Sequence, residues 1–290
     1  ISENIPTEAV AEFSESSDKY AGINIVVEPV RQYNQGTLAS HILGYADQIR
    51  SEEYEEKKET YGMNDIIGRT GIEYVFEEYL KGKNGTKQID MAVDGTTTAE
   101  YIAEEAIQGA DIVLTIDAKL QQITEQALEA NINKIASGGF GRSYNANAGA
   151  CVVMDVKTGE ILAMASYPNY NPADFVGGIS TTNWNKYRDD PAKPLLNKAV
   201  QNSYPPGSIF KMVTAIAGLE TGAITRTEII NDTGVYRKYG LSWPCWYYTD
   251  YHTGHGRLNV SGAIEKSCNY FFYETGDRMG IENLAKYAKY

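Results

Sequence analysis

The spacing of apolar and polar residues changes repeatedly along the chain, and each change predicts an element. Residues 1–20 are polar and rich in Ser and Glu, which predicts a weakly held entry. GINIVVEP (22–29) reads as a strand, HILGY (41–45) opens a short element, and RSEEYEEKKETY (50–61) is polar enough for a solvated helix or an exposed connection. Thr70 is placed to cap a helix whose apolar face is Ile72, Val75, Phe76 and Leu80, with Gly82 as its stop. Lys87–Val93 and Asp111–Ile116 read as strands, and the change of composition around 95–110 suggests a domain boundary.

A longer helical period begins after Asp117, a candidate cap: Leu120, Ile123, Ala127, Leu128, Ile132 and Ile135 recur on one face. Ser137–Gly141 is a flexible loop. Ala148–Val156 and Ile161–Ser166 flank a short polar turn and predict a β-hairpin. Residues 167–200 read as a long irregular excursion over the surface. They lead into Tyr204-Pro-Pro-Gly-Ser-Ile-Phe-Lys211, and then Met212, Val213, Ile216 and Leu219 continue a helix apolar enough to be buried. Residues 223–259 are loop-rich with strand fragments. Val260–Lys266 and Tyr270–Met279 predict two short helices, the second stopped by Gly280. No internal repeat interrupts this order.

Composition narrows the partners. Acidic residues number 38 against 26 basic ones, a net charge of −12 with no basic run, which excludes a nucleic-acid footprint. No apolar run reaches membrane-spanning length and no signal peptide is visible, although the first residue is Ile rather than Met. Three cysteines (Cys151, Cys245, Cys268) are too few for a disulfide scaffold.

Chemistry concentrates at Ser208. The Pro-Pro-Gly turn fixes the serine at a helix start, and Lys211, on the same helix face, can sit beside its Oγ. A serine next to a desolvated amine can become nucleophilic without histidine. The bare Ser-x-x-Lys pattern has a second copy, Ser16–Lys19, and Ser-x-Asn occurs at both Ser143–Asn145 and Ser267–Asn269. Lys157-Thr-Gly159 adds a third motif-like triplet. Context separates them: Ser16 has no apolar helix behind it, Ser143 lies in a Gly/Asn-rich loop, and Lys157–Gly159 sits where a hairpin must turn. Ser208 and Lys211 with Ser267 and Asn269 form the candidate catalytic set.

YPPGSIFK, SCN and the text around them (197–220 and 255–280) resemble the transpeptidase domain of class B penicillin-binding proteins. HILGY and GRTGIEYVFEEYLKGKNG (68–85) are similar to that family's N-terminal pedestal, and DIVLTIDAKLQQITEQAL (111–128) to its entry into the catalytic domain. TGIE and YPPGS lean toward the elongation-type members. The resemblance implies an α+β fold: a pedestal over 1–110 and a penicillin-binding-protein/serine β-lactamase-like transpeptidase domain over 111–290, incomplete at its C-terminal end. It implies a peptidoglycan D,D-transpeptidase in which Ser208 forms an acyl-enzyme with a stem peptide. Lys211 takes the Ser208 proton, Ser267 relays a proton, Asn269 holds the donor amide and the Ser208 N–H supplies half of the oxyanion hole. A D,D-carboxypeptidase and a non-catalytic β-lactam-binding sensor are the alternatives. Implied partners are stem peptides, β-lactams and membrane-bound cell-wall synthesis proteins. The implied place is the extracytoplasmic face of the bacterial membrane, with an N-terminal anchor outside this chain. The middle motif is Ser-Cys-Asn rather than Ser-Asp-Asn, and the family's Lys-Ser/Thr-Gly strand is not reached before Tyr290. These residues alone are therefore expected to be inactive.

The chemistry needs no cofactor, but Cys245, His252, His255 and Cys268, with Asp250 as a substitute, could form a structural zinc site. Cys268 lies inside Ser-Cys-Asn, so a metal there would brace the catalytic turn. A Cys245–Cys268 disulfide in an exported domain, or two free thiols, are the other readings.

Overall fold

The backbone is that of a computed structural model describing residues 5–15, 25, 30–93 and 97–290. It divides into two units, Ile1–Asn202 and Ser203–Tyr290. The expected strand at 22–29 and the Ser16–Lys19 motif fall almost wholly outside the described residues.

The first unit begins with helix α1 (Thr7–Glu15), followed by α2 (Ser40–Leu43), β1 (Ala46–Gln48), the exposed α3 (Ser51–Lys57) and β2 (Ile66–Gly68). Strands β1 and β2 pair antiparallel, with Ala46 opposite Gly68. Beyond them the helix predicted after Thr70 is broken at Phe76 into α4 (Gly71–Val75) and α5 (Glu77–Leu80). HILGY meets GRTGIE with no room to spare. A Cβ on Gly44, which lies at φ +78°, would stand 1.8 Å from the Thr70 carbonyl oxygen. Glu73 is buried below this contact and accepts from Arg31 Nε at 2.5 Å.

An exposed hairpin, β3 (Thr86–Met91) and β4 (Thr97–Glu104), occupies much of the stretch read as a boundary. Asp111–Ile116 is not a strand. It runs extended, tied through Thr115 Oγ1 to the Ile161 carbonyl at 2.7 Å, while the Asp117 N–H donates to the Leu162 carbonyl at 3.0 Å. Helix α6 (Ala118–Ala136) starts where Asp117 accepts the Leu120 N–H. It packs on the predicted hairpin, β5 (Gly149–Met154) and β6 (Ile161–Tyr167). Gln121 is fully buried between them, exchanging both amide hydrogen bonds with the Met164 backbone at 2.7 and 2.8 Å. The polar side chain thus continues the strand's hydrogen bonding.

The stretch 167–200, expected to wander over the surface, instead carries a core. A 3₁₀ turn (Pro172–Phe175) and α7 (Thr181–Arg188) bury Tyr170, Phe175 and Tyr187. Tyr45 stacks on Phe175 at 3.7 Å, and the Tyr170 hydroxyl donates to the Ser40 carbonyl at 2.9 Å. Aromatic rings spaced irregularly in sequence carry no period, which hid this cluster from pattern reading.

The second unit opens with a 3₁₀ turn (Gly207–Ile209) running into α8 (Phe210–Glu220). Strands β7 (Ile230–Asp232), β8 (Val235–Lys238) and β9 (Leu241–Pro244), helix α9 (Trp246–Tyr251), β10 (Gly256–Leu258) and helices α10 (Val260–Glu265), α11 (Asn269–Met279) and α12 (Ile281–Tyr287) follow. Strand β10 returns to pair antiparallel with β7, and β8 with β9. The core joins Ala215, Ile224, Cys245, Leu258, Cys268 and Phe271. Helix α8 differs from expectation: within this unit it buries its small residues, Thr214, Ala215, Ala217 and Gly218, while Met212, Ile216 and Leu219 are exposed. Close approach to α11 explains the choice, since a Cβ on Gly218 would lie 2.5 Å from Thr275 Cγ2. No helix among the described residues is long and apolar enough to cross a membrane.

Candidate active site

The second unit brings together Ser208, Lys211, Ser267 and Asn269. Ser208 sits in the 3₁₀ turn one residue after Gly207, which adopts φ +57°. One turn on, α8 presents Lys211. Its Nζ lies 3.2 Å from Ser208 Oγ, 3.0 Å from Ser267 Oγ, 2.7 Å from the Ser267 carbonyl oxygen and 2.5 Å from Asn269 Oδ1. Ser267 ends the connection after α10 in the left-handed region, φ +47°, its N–H donating to the Ile264 carbonyl. Asn269 is the first residue of α11. A non-glycine residue at positive φ costs energy and persists only where its surroundings hold it.

Two of the four oxygens around Lys211, the Ser267 carbonyl and the Asn269 side-chain carbonyl, can only accept. The other two are hydroxyls that can accept or donate. A neutral amine has two N–H bonds and one lone pair, so it satisfies both carbonyls and keeps its lone pair for a hydroxyl. Burial pushes the Lys211 amine below the ordinary lysine value, opposed by the Cys245 and Cys268 sulfurs.

The other motif copies among the described residues lie in the first unit. Ser143 is in the exposed loop after α6. Lys157–Gly159 forms the exposed turn between β5 and β6, where the Asp155 carboxylate accepts the Lys157 and Thr158 N–H groups at 2.7 and 3.1 Å.

A second cluster lies behind the Ser267–Asn269 turn. Asp232, Cys245, His255 and Cys268 place one ligand atom each within 4.8 Å of one another. His255 Nδ1 is 2.8 Å from Asp232 Oδ2 and 3.6 Å from Cys245 Sγ, and the Cys268 thiol donates to Asp232 Oδ2 at 3.3 Å. The expected set is thereby corrected. His252 ends α9 in a left-handed conformation, exposed, against Tyr248, and Asp250 is exposed on the same helix, so neither joins the cluster. Asp232 takes the fourth place from the end of β7, reached by the β7–β10 pairing that sequence spacing does not reveal. All three cysteines are unbonded. Burial pushes the Cys268 thiol far up. Burial also raises Asp232, but hydrogen bonds from His255, Gly234 and Cys268 outweigh it and hold the carboxyl below its ordinary value.

The arrangement fits zinc. Tetrahedral zinc with ligands at about 2.0–2.3 Å spaces its donor atoms about 3.3–3.8 Å apart. The Cys245–His255 and Cys268–Asp232 separations of 3.6 and 3.3 Å fall in that range, and the 2.8 Å His255–Asp232 hydrogen bond would have to open. Two sulfurs, an imidazole and a carboxylate suit the metal chemically. Metal binding would displace the proton that the Cys268 thiol now shares with Asp232.

A serine–lysine–serine–asparagine constellation at a helix start and an inter-helix turn holds the groups that acyl transfer needs, and comparison with known proteins gives the family. Residues 149–290 match the family described as Penicillin binding protein transpeptidase domain, and residues 1–114 the Penicillin-binding Protein dimerisation domain. Peptidoglycan D,D-transpeptidase MrdA of Acinetobacter baumannii is 32% identical over 288 residues, 99% of this chain and 40% of that protein. MrdA of Escherichia coli K12 is 32% identical over 294 residues, 98% of this chain and 43% of that protein. PBP2 in its complex with MreC from Helicobacter pylori superposes with a TM-score of 0.78 at 30% identity, covering 98% of this chain and 49% of that one. The chain belongs to the class B penicillin-binding proteins of the MrdA/PBP2 type. It spans less than half the length of the curated MrdA relatives it matches.

Proposed function

We propose that this chain carries the nucleophile and proton-transfer groups of a peptidoglycan D,D-transpeptidase. The observation that supports the reading is the position of Lys211 Nζ between two hydroxyls, with two acceptor-only carbonyls to take its N–H bonds. Neutral Lys211 accepts the Ser208 proton as Oγ attacks the penultimate D-alanyl carbonyl of a stem peptide. The resulting ammonium has a third N–H, which Ser267 Oγ is placed to accept. Ser267 can then pass its own hydroxyl proton to the departing D-alanine amine, closing the relay. Asn269, whose Oδ1 faces Lys211, keeps its side-chain NH₂ to donate to the acyl donor. An amine from a second stem peptide resolves the acyl-enzyme into a cross-link. A β-lactam would enter the same first half of the cycle and remain on Ser208.

Partners and place follow the relatives. A PBP2 structure with MreC supports cell-wall synthesis proteins as the partner class and the cell envelope as the location. Asp232, Cys245, His255 and Cys268 are proposed to hold a structural zinc that stiffens the Ser267–Asn269 turn and takes no part in the acyl transfer.

The deciding experiment is intact-mass analysis of the full-length protein after exposure to a penicillin. One adduct per chain is expected, mapped by peptide digestion to Ser208 and absent from Ser208→Ala. An adduct that survives in Ser208→Ala overturns the assignment.

A further inference from the structure

Ser267 has one carbonyl oxygen and two demands on it. Lys211 Nζ donates from one side at 2.7 Å, and the indole Nε1 of Trp246 donates at 3.0 Å, with the Lys266 carbonyl also 3.2 Å from that indole nitrogen. A carbonyl has two lone pairs, so these donors complete its capacity. The peptide carrying it is in the left-handed region, where Ser267 would not rest unaided. Trp246 is itself held: its ring meets His255 edge-on at 5.6 Å and Tyr247 at 5.5 Å. Just before it in the chain, Cys245 Sγ accepts the Asn269 N–H at 3.3 Å. Two consecutive residues at the start of α9 therefore grip both ends of Ser-Cys-Asn.

We infer that Trp246 is a positioning residue for acyl transfer, its indole N–H fixing the Ser267 carbonyl that in turn orients Lys211. This rests on the reading of Lys211 as the group that takes the Ser208 proton. Without the indole donor the Ser267 peptide can tilt, and the amine loses one of the two acceptors that aim its lone pair. Trp246 is 40% exposed, so a surface contact with the substrate is the rival role. The two roles affect different steps: positioning acts on the acylation rate, a surface contact on the affinity that precedes it.

The test replaces one atom. Trp246→3-benzothienylalanine keeps the ring's shape and swaps the N–H for sulfur, and Trp246→Phe removes the donor by ordinary mutagenesis. Both are made in the full-length protein and checked by thermal melting. Stopped-flow acylation by a chromogenic β-lactam, analysed for pre-acylation affinity and the first-order acylation rate, gives the readout. The expected result is an acylation rate lowered about tenfold in both variants, consistent with one lost hydrogen bond to a reacting group, with affinity unchanged. An unchanged rate overturns the inference, and so does a loss confined to affinity. If Phe destabilises the fold, the benzothienyl variant decides alone, and if neither variant melts like the parent, Trp246 is a core residue and the inference fails. Ser208→Ala run alongside separates the two claims: acylation that persists there defeats the reading of the whole site. Its loss there, with an unaffected Trp246 variant, defeats only the positioning role.

Discussion

Asn269 donates its backbone N–H to the sulfur of Cys245 at 3.3 Å, while the neighbouring Cys268 thiol points into the same cluster. The Ser267–Asn269 turn is therefore mounted on the Asp232–Cys245–His255–Cys268 group rather than beside it. If zinc occupies that group, elemental analysis of the full-length protein purified in metal-free buffer will find about one zinc per chain. Cys245→Ala and Asp232→Ala should both lose the metal and melt several degrees lower, since each also strands a buried polar partner. Absence of zinc, combined with melting that a strong chelator leaves unchanged, refutes the site.

The acylation rate should rise with pH along a limb set by Lys211. Burial lowers its amine below the ordinary 10.5, and the neutral form is the one that can accept the Ser208 proton. Rate therefore increases as pH climbs through the depressed value and flattens before 10.5 is reached. The stability side has the same sign. The unfolded chain holds the lysine proton to higher pH than the folded one, so the cost of burying the ammonium is fully present below the folded value and is relieved as pH rises above it. Lys211→Arg, permanently protonated, should lose acylation by a hundredfold or more, the order expected for a lost general base. A limb centred at or above the ordinary 10.5 would rule out a depressed Lys211 as that base.

Much of this site was legible in the residues because its parts are local. Pro-Pro-Gly places Ser208, a helical turn brings Lys211 beside it, and Ser-Cys-Asn is contiguous. The contacts that brace it are not local. Asp232 enters the cluster through the pairing of β7 with β10, and Trp246 reaches Ser267 from the start of a different helix; neither stands at a spacing that distinguishes it from an ordinary strand end or aromatic. The same limit explains the fold. The β5–β6 hairpin and α6 announced themselves by period, whereas Tyr45, Tyr170, Phe175 and Tyr187 assemble a core from four separate positions without any. Helix α8 misled in the opposite sense: its large apolar residues predicted the buried face, but the close packing of α11 selects the small ones.

His41 sets an acid limit on the first unit. Its Nε2 lies 2.7 Å from the Pro194 carbonyl oxygen, and burial, aided by the charge of Lys198 and opposed by that carbonyl, lowers its pKa from 6.5 to about 4. Above pH 6.5 the ring is neutral in both folded and unfolded chains and contributes nothing. As pH falls from 6.5 to 4 the unfolded chain takes up the proton first, so stability is lost across that window. The full shift corresponds to a loss of about 3 kcal/mol by pH 4. His41→Gln, which keeps a donor for Pro194 and does not titrate, should lose measurably less stability between pH 7 and pH 4.5 than the parent. Urea unfolding of both proteins at the two pH values measures the difference, and equal losses would show that His41 does not set the limit.

Gly218 couples the helix that carries Lys211 and follows the Ser208 turn to the helix that begins at Asn269. An added Cβ would meet Thr275 Cγ2 at 2.5 Å and Ile224 Cγ1 at 3.1 Å, and Thr275 is fully buried, its hydroxyl donating to the Phe271 carbonyl at 2.8 Å. The threonine therefore cannot swing aside without giving up a buried hydrogen bond. Gly218→Ala gains about 1 kcal/mol of helix propensity, but overpacking of this kind costs about 1–3 kcal/mol, so the net effect should be destabilising by up to about 2 kcal/mol. Forcing α8 away from α11 also lengthens the approach of Lys211 to Asn269, so the acylation rate should fall with stability. Thr275→Ser removes the clashing methyl and keeps the hydroxyl. Combined with Gly218→Ala, it should recover most of the lost stability and the lost rate together, since the two substitutions act on one contact. Denaturant unfolding and β-lactam acylation of the two single variants and the double variant close the cycle. Additive losses in the double variant would mean that the contact at Gly218 is not what sets the distance between the two helices.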